Sequence, residues 1–529
     1  MKKISAFLLA CVLLTGCGAA AAPTVTEQTP MDYTEPAAGA YESRFEGETL
    51  IRLSKGAMDA TGANAWSVSM SKDIVYYEDR ETYDSGNPYG EGEAWERHSM
   101  DEANSHLVIN ITSPGAYRVT GSFPAGQIRI DLGEDAYDDP NAVVELILDN
   151  ADITCTVAPA ILFQNVYECD GNWSTDTAKP EVDTGAAGAN LILVGENTVS
   201  GSHVAKIYKD KKGEKKLWKQ DGAIYSYMSM NVYGPGKLEL TADNEGLDTE
   251  LHLTVNGGDI TIRSDNDGIN TNEDGVSVTT INGGNLRILA GLGAEGDGID
   301  SNGYLVINGG TVFSAANPAS DAGLDSDLGS FVNGGTVVAL GSSMDWAESD
   351  SGQVTMNLQF ASYREGSISV TREDGTEVFA FDPGAVFGEY QRRYQGAILS
   401  CPGFTQGDSY HVYQNGIRMA YTGTDVMMGP GGMGGFGGHR PGAPDGEIPT
   451  MPEGQEPPGG FGGQRPEGGM PEGEMPTMPE GQEPPDGFRG DRGPMGSRGE
   501  PGGNPGGEAN TVFFMQDMVN FFSGLTEAE

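Results

Sequence analysis

Acidic and amide side chains recur in this chain at a fixed offset from a short motif. Asp243-Asn244-Glu245 precedes Gly246-Leu247-Asp248, and Asp265-Asn266-Asp267 precedes Gly268-Ile269-Asn270 in the same way. Asp297 and Asp300 flank Gly298-Ile299, and Asp325 follows Gly323-Leu324. Oxygen ligands in such number suit a hard cation, and calcium takes six to eight oxygens at about 2.3–2.6 Å. Zinc is disfavoured, because no paired His or Cys accompanies these copies. The stretch Asn270–Ile281 carries the central glycine of an EF-hand loop but starts with Asn and ends with Ile. That loop needs a bidentate Glu last, so the motif alone does not establish calcium. Polar, solvated corners without metal are the alternative.

The elements that must position these residues come from an internal repeat. Asn-Gly-Gly occurs at Asn256, Asn282, Asn308 and Asn333, at intervals of 26, 26 and 25 residues. Alternating apolar residues on either side, as in Leu251/Leu253/Val255 and Ile260/Ile262, read as short half-buried strands. The glycines supply the positive φ of a tight corner. The second motif, from "EGLDTE" at Glu245 to "AGLDSD" at Ala322, lies about half a period away. Two distinct corners per repeat describe a coil wound around a core, an all-β parallel β-helix or solenoid. Leu247, Ile269, Ile299 and Leu324 then enter the core, while Asp248, Asn270, Asp300 and Asp325 form an outward ladder. Strands lie about 4.8 Å apart, and two carboxylates at that spacing repel by roughly 3–4 kcal/mol at an effective dielectric of about 20. A calcium ion between rungs relieves this. The candidate ligands are Asp243, Asn244, Glu245, Asp248, Asp265, Asn266, Asp267, Asn270, Asp297, Asp300 and Asp325.

Composition sets the limits. A formal net charge of −46 over 529 residues excludes non-specific nucleic-acid binding, which needs Lys and Arg on phosphates. The first residues, "MKKISAFLLACVLLTGCG", form a targeting segment too short to span a membrane comfortably. Leu14-Thr15-Gly16-Cys17 resembles the bacterial lipobox. That resemblance implies a signal peptide over 1–17, a lipid on Cys17, a flexible tether over 18–46 and an extracellular, membrane-anchored location. The solenoid is expected over 47–345 and a β-rich cap, with a hairpin around Asp374-Gly375, over 346–425. Residues 426–510, rich in Gly, Pro, Met and Glu, are expected to be disordered, and 511–529 to form a terminal strand or an amphipathic tail. Of the remaining cysteines, Cys155 and Cys169 either form one bridge or stay, with Cys401, as buried thiols.

The stretches "GAYRVTGSFPAGQIRI", "DGAIYS" and "GAILSCPGFTQGDSYHVY", together with the repeats, give the chain a recognisable look. From about Leu50 to Gly423 it resembles the bacterial cell-surface carbohydrate-binding, calcium-binding β-helix family. The resemblance implies a right-handed, pectate-lyase-like parallel β-helix that binds pectic or cellulosic polysaccharide. Arg263 ends one repeat strand while Arg287 lies within another, and no acidic dyad can be singled out among so many carboxylates, so non-catalytic binding by a monomer is expected. A polysaccharide lyase, or a surface adhesin or wall-scaffold protein, are the alternative functions. This chain departs from the family pattern by insertions at about Tyr76–Glu102 and Tyr167–Ala189 and by a loop of seven lysines, Lys206–Lys219. The loop offers an anion contact, with Tyr208, Trp218, Tyr225 and Tyr227 as sugar-stacking candidates, or is simply a solvated loop paired with acidic neighbours.

Overall fold

The structure is a computed structural model that describes residues 41–78, 94–208, 217–388, 392–424 and 509–528. The signal peptide, Cys17, most of the tether and nearly all of the 426–510 segment lie outside the described residues. The chain is all-β, and its described α-helices, Met100–Ala103 and Pro383–Phe387, are single turns.

From Glu245 to Gly341 each repeat supplies three strands, and each strand pairs in parallel with its counterpart one repeat later. Ladder one stacks Gly222–Ser226, Glu245–Thr249, Ile269–Thr271, Ile299–Ser301 and Leu324–Ser326. Upstream it continues through Ile161–Asn165, Gly126–Asp131 and Leu107–Ile111. Ladder two stacks Ala189–Val194, Met230–Tyr233, His252–Val255, Val278–Ile281, Tyr304–Ile307 and Gly329–Val332. Ladder three stacks Glu196–Gly201, Lys237–Ala242, Asp259–Ser264, Asn285–Leu289, Thr311–Ala315 and Thr336–Gly341. Glu48–Ser54, Gly115–Phe123 and Val144–Thr154 extend the parallel pairing towards the N-terminus.

Alternate apolar residues from all three ladders meet inside. Leu247, Leu253, Ile260 and Ile262 of one repeat are fully buried, as are Ile269, Ile281, Leu286 and Ile288 of the next. Each such side chain is worth roughly 1.5–3 kcal/mol on burial. Stacking supplies the core that no single repeat has alone. Between ladders two and three sits the Asn-Gly-Gly corner. Its last glycine has positive φ, 91° at Gly284 and 80° at Gly310. A Cβ on Gly310 would lie 2.6 Å from the Gly284 carbonyl oxygen, so conformation and stacking both demand glycine there.

The last rung of ladder three pairs antiparallel with Tyr394–Ser400, which pairs with Thr355–Arg364. Thr355–Arg364 also takes Val519–Glu527 as a parallel neighbour. These strands and the hairpin Ile368–Arg372/Glu377–Phe381 enclose a second apolar cluster around Phe360, Phe381, Tyr410, Phe513 and Phe522. Cys155, Cys169 and Cys401 are free thiols, so no bridge links Cys155 to Cys169.

Candidate metal centre

Ladder one fixes the acidic residues in space. Tyr225, Asp248, Asn270, Asp300 and Asp325 fall on one register line, each following a buried Ile or Leu. Because successive strand residues face opposite sides, the whole line points away from the core. It is nonetheless covered at its N-terminal rungs: Asp248 is 0% exposed and Asn270 7%.

One carboxylate group stands out. Asp221, Glu245 and Asp248 bring ligand oxygens within 4.8 Å of one another. Asp248 accepts one hydrogen bond, from Asn272 Nδ2 at 2.5 Å. Asp248 Oδ2, Glu245 Oε2 and Asn270 Oδ1 are buried and have no hydrogen-bond partner. A buried acceptor without a partner costs about 1–3 kcal/mol, and more if charged. Burial, and then the Asp221 carboxylate, push the Glu245 carboxyl up. Burial and the Glu245 charge push Asp248 well above the usual carboxylate range. The counter-charge is Lys219, whose Nζ lies 2.9 Å from Asp221 Oδ2 and 2.6 Å from Asn272 Oδ1. Burial opposes its charge, but Asp221, Glu250, Asp248 and Glu245 together hold it protonated. Among the described residues four carboxylates, Asp221, Glu245, Asp248 and Glu250, act on this one ammonium, an excess of negative charge that a divalent cation would offset. Three unpartnered oxygens beside further acidic groups, in a cluster that among the described residues holds carboxylates and no thiol or imidazole, fit a hard ion.

The acidic line continues along the ladder. Asp267 is raised well above its ordinary value by burial and by Glu245, Asp297 and Asp300. Burial and Asp325 push Asp297 up to about 7, and burial and Asp297 push Asp300 up to about 8. Burial and Asp327 raise Asp325. Part of this oxygen supply is already used: Asp267 accepts from the Asp297 amide at 2.6 Å, and Asp297 from the Ala322 amide at 2.5 Å.

Four of the expected ligands are placed differently. Asp243 is committed to His203 Nδ1 at 3.0 Å and to Ser202 Oγ at 2.6 Å, and His203 Nε2 reaches Glu96 at 3.1 Å. Asn244 donates to the Asp221 carbonyl at 3.1 Å. Asp265 is exposed and Asn266 half-buried, both in the turn after ladder three. Asp221 and Lys219 are the members that the sequence reading missed. The register sets Gly222 opposite Glu245 and Ile224 opposite Leu247, so Asp221 stands at the position of Asn244, and with glycine where the later repeats carry Glu245 and Asp267 the Asp221-Gly222 pair falls outside the repeated motif.

Residues 105–376 match the profile of the carbohydrate-binding domain-containing protein family. This chain belongs to that family. A carbohydrate-binding domain-containing protein of Acetivibrio thermocellus is 27% identical over 161 residues, which cover 30% of this chain and 46% of that protein. The match thus spans less than half of the relative's length. The polysaccharide lyase-like protein from C. thermocellum, solved as a gadolinium derivative, is 21% identical. It aligns with 55% of this chain and 92% of its own, at a TM-score of 0.32.

For a carbohydrate-binding protein the aromatic residues matter, and here the structure corrects the expectation. Tyr225 is fully buried and its hydroxyl donates to the Glu250 carboxylate, so it has no face to offer a sugar. Tyr227 packs edge-on against it at 5.1 Å and donates to the Lys219 carbonyl at 3.0 Å. Both rings support the carboxylate group. The side chains of Tyr208 and Trp218, on the hairpin Val204–Tyr208/Leu217–Gln220, lie outside the described residues, as do those of every lysine of the loop except Lys219. Arg263 and Arg287, on ladder three, pair with Glu239 at 3.4 Å and Asp259 at 2.6 Å.

Proposed function

We propose that this carbohydrate-binding protein is an extracellular calcium-binding polysaccharide receptor, a right-handed parallel β-helix held to the cell membrane by a lipid on Cys17. The observation that carries the calcium reading is the trio of buried, unpartnered oxygens on Glu245, Asp248 and Asn270 beside Asp221. Asp221, Glu245, Asp248 and Asn270 would hold the ion, with Asp267, Asp297, Asp300 and Asp325 as further ligands along the ladder. Bound calcium would supply the positive charge that lets so acidic a protein hold a uronate polymer of pectic type. Lys219 holds the carboxylates together meanwhile, and its proton is retained by the same charges.

The non-catalytic reading is favoured over a lyase. Proton abstraction needs a base beside the metal, whereas Arg263 and Arg287 lie on another ladder and are paired with Glu239 and Asp259. Binding to immobilised polygalacturonate with calcium or with chelator tests the proposal. Retention that needs calcium at any ionic strength supports it. Chelator-insensitive retention abolished by replacing Lys211, Lys212, Lys215 and Lys216 with Ser would move the contact to the lysine loop. Release of unsaturated sugars, read by ultraviolet absorbance, would establish the lyase instead.

A further inference from the structure

A groove of about 530 Å³ runs across the repeats on the side of ladder two, far in character from the acidic line. Asn256, Asn282, Asn308 and Asn333, the first residues of the four Asn-Gly-Gly corners, line it one above the other. Their amides form a one-directional chain: Asn282 Nδ2 donates to Asn256 Oδ1 at 2.9 Å, Asn308 to Asn282 at 3.0 Å and Asn333 to Asn308 at 3.0 Å. A primary amide has two donors and two acceptor lone pairs. The chain uses one donor and one acceptor of Asn282 and Asn308, and leaves one of each facing out of the exposed side chains.

The groove is built on both sides. Its wall is the segment from Lys179 to Gly185. Thr184 fastens that wall to the floor, its hydroxyl lying 2.7 Å from Asn231 Oδ1 and 2.7 Å from Thr254 Oγ1. Asn231 returns a bond to the Thr184 carbonyl at 2.8 Å, and the Arg44 guanidinium donates to Gly185. One end is marked by Tyr233, half-buried and tilted at 43° against Tyr41 with ring centroids 4.8 Å apart. The charged wall residues, Lys179, Glu181 and Asp183, are mixed in sign, and the amide line is neutral.

We propose that this groove is a second, metal-independent binding site for a neutral, extended β-linked glycan. Each rung presents the same donor–acceptor pair every ~4.8 Å, close to the advance of one pyranose in an extended β-linked glucan. Successive sugars therefore meet successive asparagines, and four corners span about 14 Å, room for three or four sugars. Hydroxyl groups, donor and acceptor at once, match that pair, while Tyr233 offers an apolar surface to a terminal sugar ring.

The proposal rests on the carbohydrate-binding reading, and the test separates the two. Binding of cellotetraose is measured by calorimetry with chelator present, on the wild type, on the double variant Asn282→Ala/Asn308→Ala, and on Val182→Trp, which fills the groove from its wall and leaves the amide chain intact. Calcium-dependent binding to polygalacturonate is measured on the same proteins. The expected result is chelator-insensitive cellotetraose binding by the wild type, at least tenfold weaker in both variants, with polygalacturonate binding unchanged. Wild-type affinity for cellotetraose in Val182→Trp, or binding that the chelator removes, overturns the groove proposal. Absence of cellotetraose binding with polygalacturonate binding intact also overturns it, and leaves the carbohydrate-binding reading standing. Loss of both in the wild type sinks both readings.

Discussion

The acidic line of ladder one and the asparagine line beside ladder two are built on the same repeat, yet they solve opposite problems. Both place one side chain per rung at the strand spacing. An amide stacked on an amide satisfies its neighbour, as Asn256 to Asn333 do. A carboxylate stacked on a carboxylate cannot, because both are acceptors and both carry negative charge. Asp300 and Asp325 stand in that relation, and Glu245 and Asp248, close together on one strand, are buried with one oxygen each unpartnered. A repeated backbone therefore makes a self-contained surface from one residue type and an acidic one with unpartnered oxygens from another. The comparison predicts that perturbations on the acidic side act through charge and are rescued by calcium, whereas those on the asparagine side are small and indifferent to it.

The largest effect is expected at Lys219. Replacing it with Met leaves Asp221, Glu245 and Asp248 without their nearest counter-charge among the described residues, and for a partly buried pair the cost falls below the about 3–5 kcal/mol of a fully buried one. The variant should unfold at markedly lower urea in chelator and recover most of the loss in calcium. Equal destabilisation in both buffers would show that Lys219 acts through packing alone.

Next comes pH. Asp297 and Asp300 titrate at about 7 and about 8 in the fold, against about 3.9 in an unfolded chain. Between about pH 4 and about pH 8 the folded state thus holds more protons than the unfolded one, so stability falls as pH rises through that window. Thermal midpoints in chelator should drop between pH 5 and pH 8, and calcium should flatten or reverse the slope. A midpoint that rises with pH in chelator would contradict the reading of this line as an uncompensated stack.

On the other side, Gly310→Ala puts a Cβ against the Gly284 carbonyl at positive φ and should cost about 1–3 kcal/mol, with no calcium dependence. Asn282→Ala removes two exposed amide bonds and should cost less than about 1.5 kcal/mol. A strong calcium dependence of either would merge the two regions.

The repeat was legible because it is written in residue type: glycine at a positive-φ corner and Ile or Leu at the inward position leave few alternatives. The register of Asp248, Asn270, Asp300 and Asp325 follows from the same pattern. What the pattern does not carry is which neighbours fold over it. Asp243 shares its offset with Asp265, but a histidine forty residues earlier captures it. Tyr225 lies on the Asp248 register line and looks exposed by alternation, yet its hydroxyl is tied to Glu250 beneath the carboxylate group. The asparagines read as turn formers, since their groove appears only when the 179–185 wall is folded against them. Non-local cover decides each of these cases.

Calcium titration of the folded protein, followed by its thermal midpoint, tests the central claim most directly. Linkage gives about 4 kcal/mol at a ligand concentration a thousandfold above Kd. The account predicts a midpoint that climbs with calcium up to the millimolar range, returns with chelator, and barely moves in Glu245→Gln/Asp248→Asn, whose starting midpoint in chelator should already be higher than that of the wild type. A wild-type midpoint unchanged at millimolar calcium would contradict it.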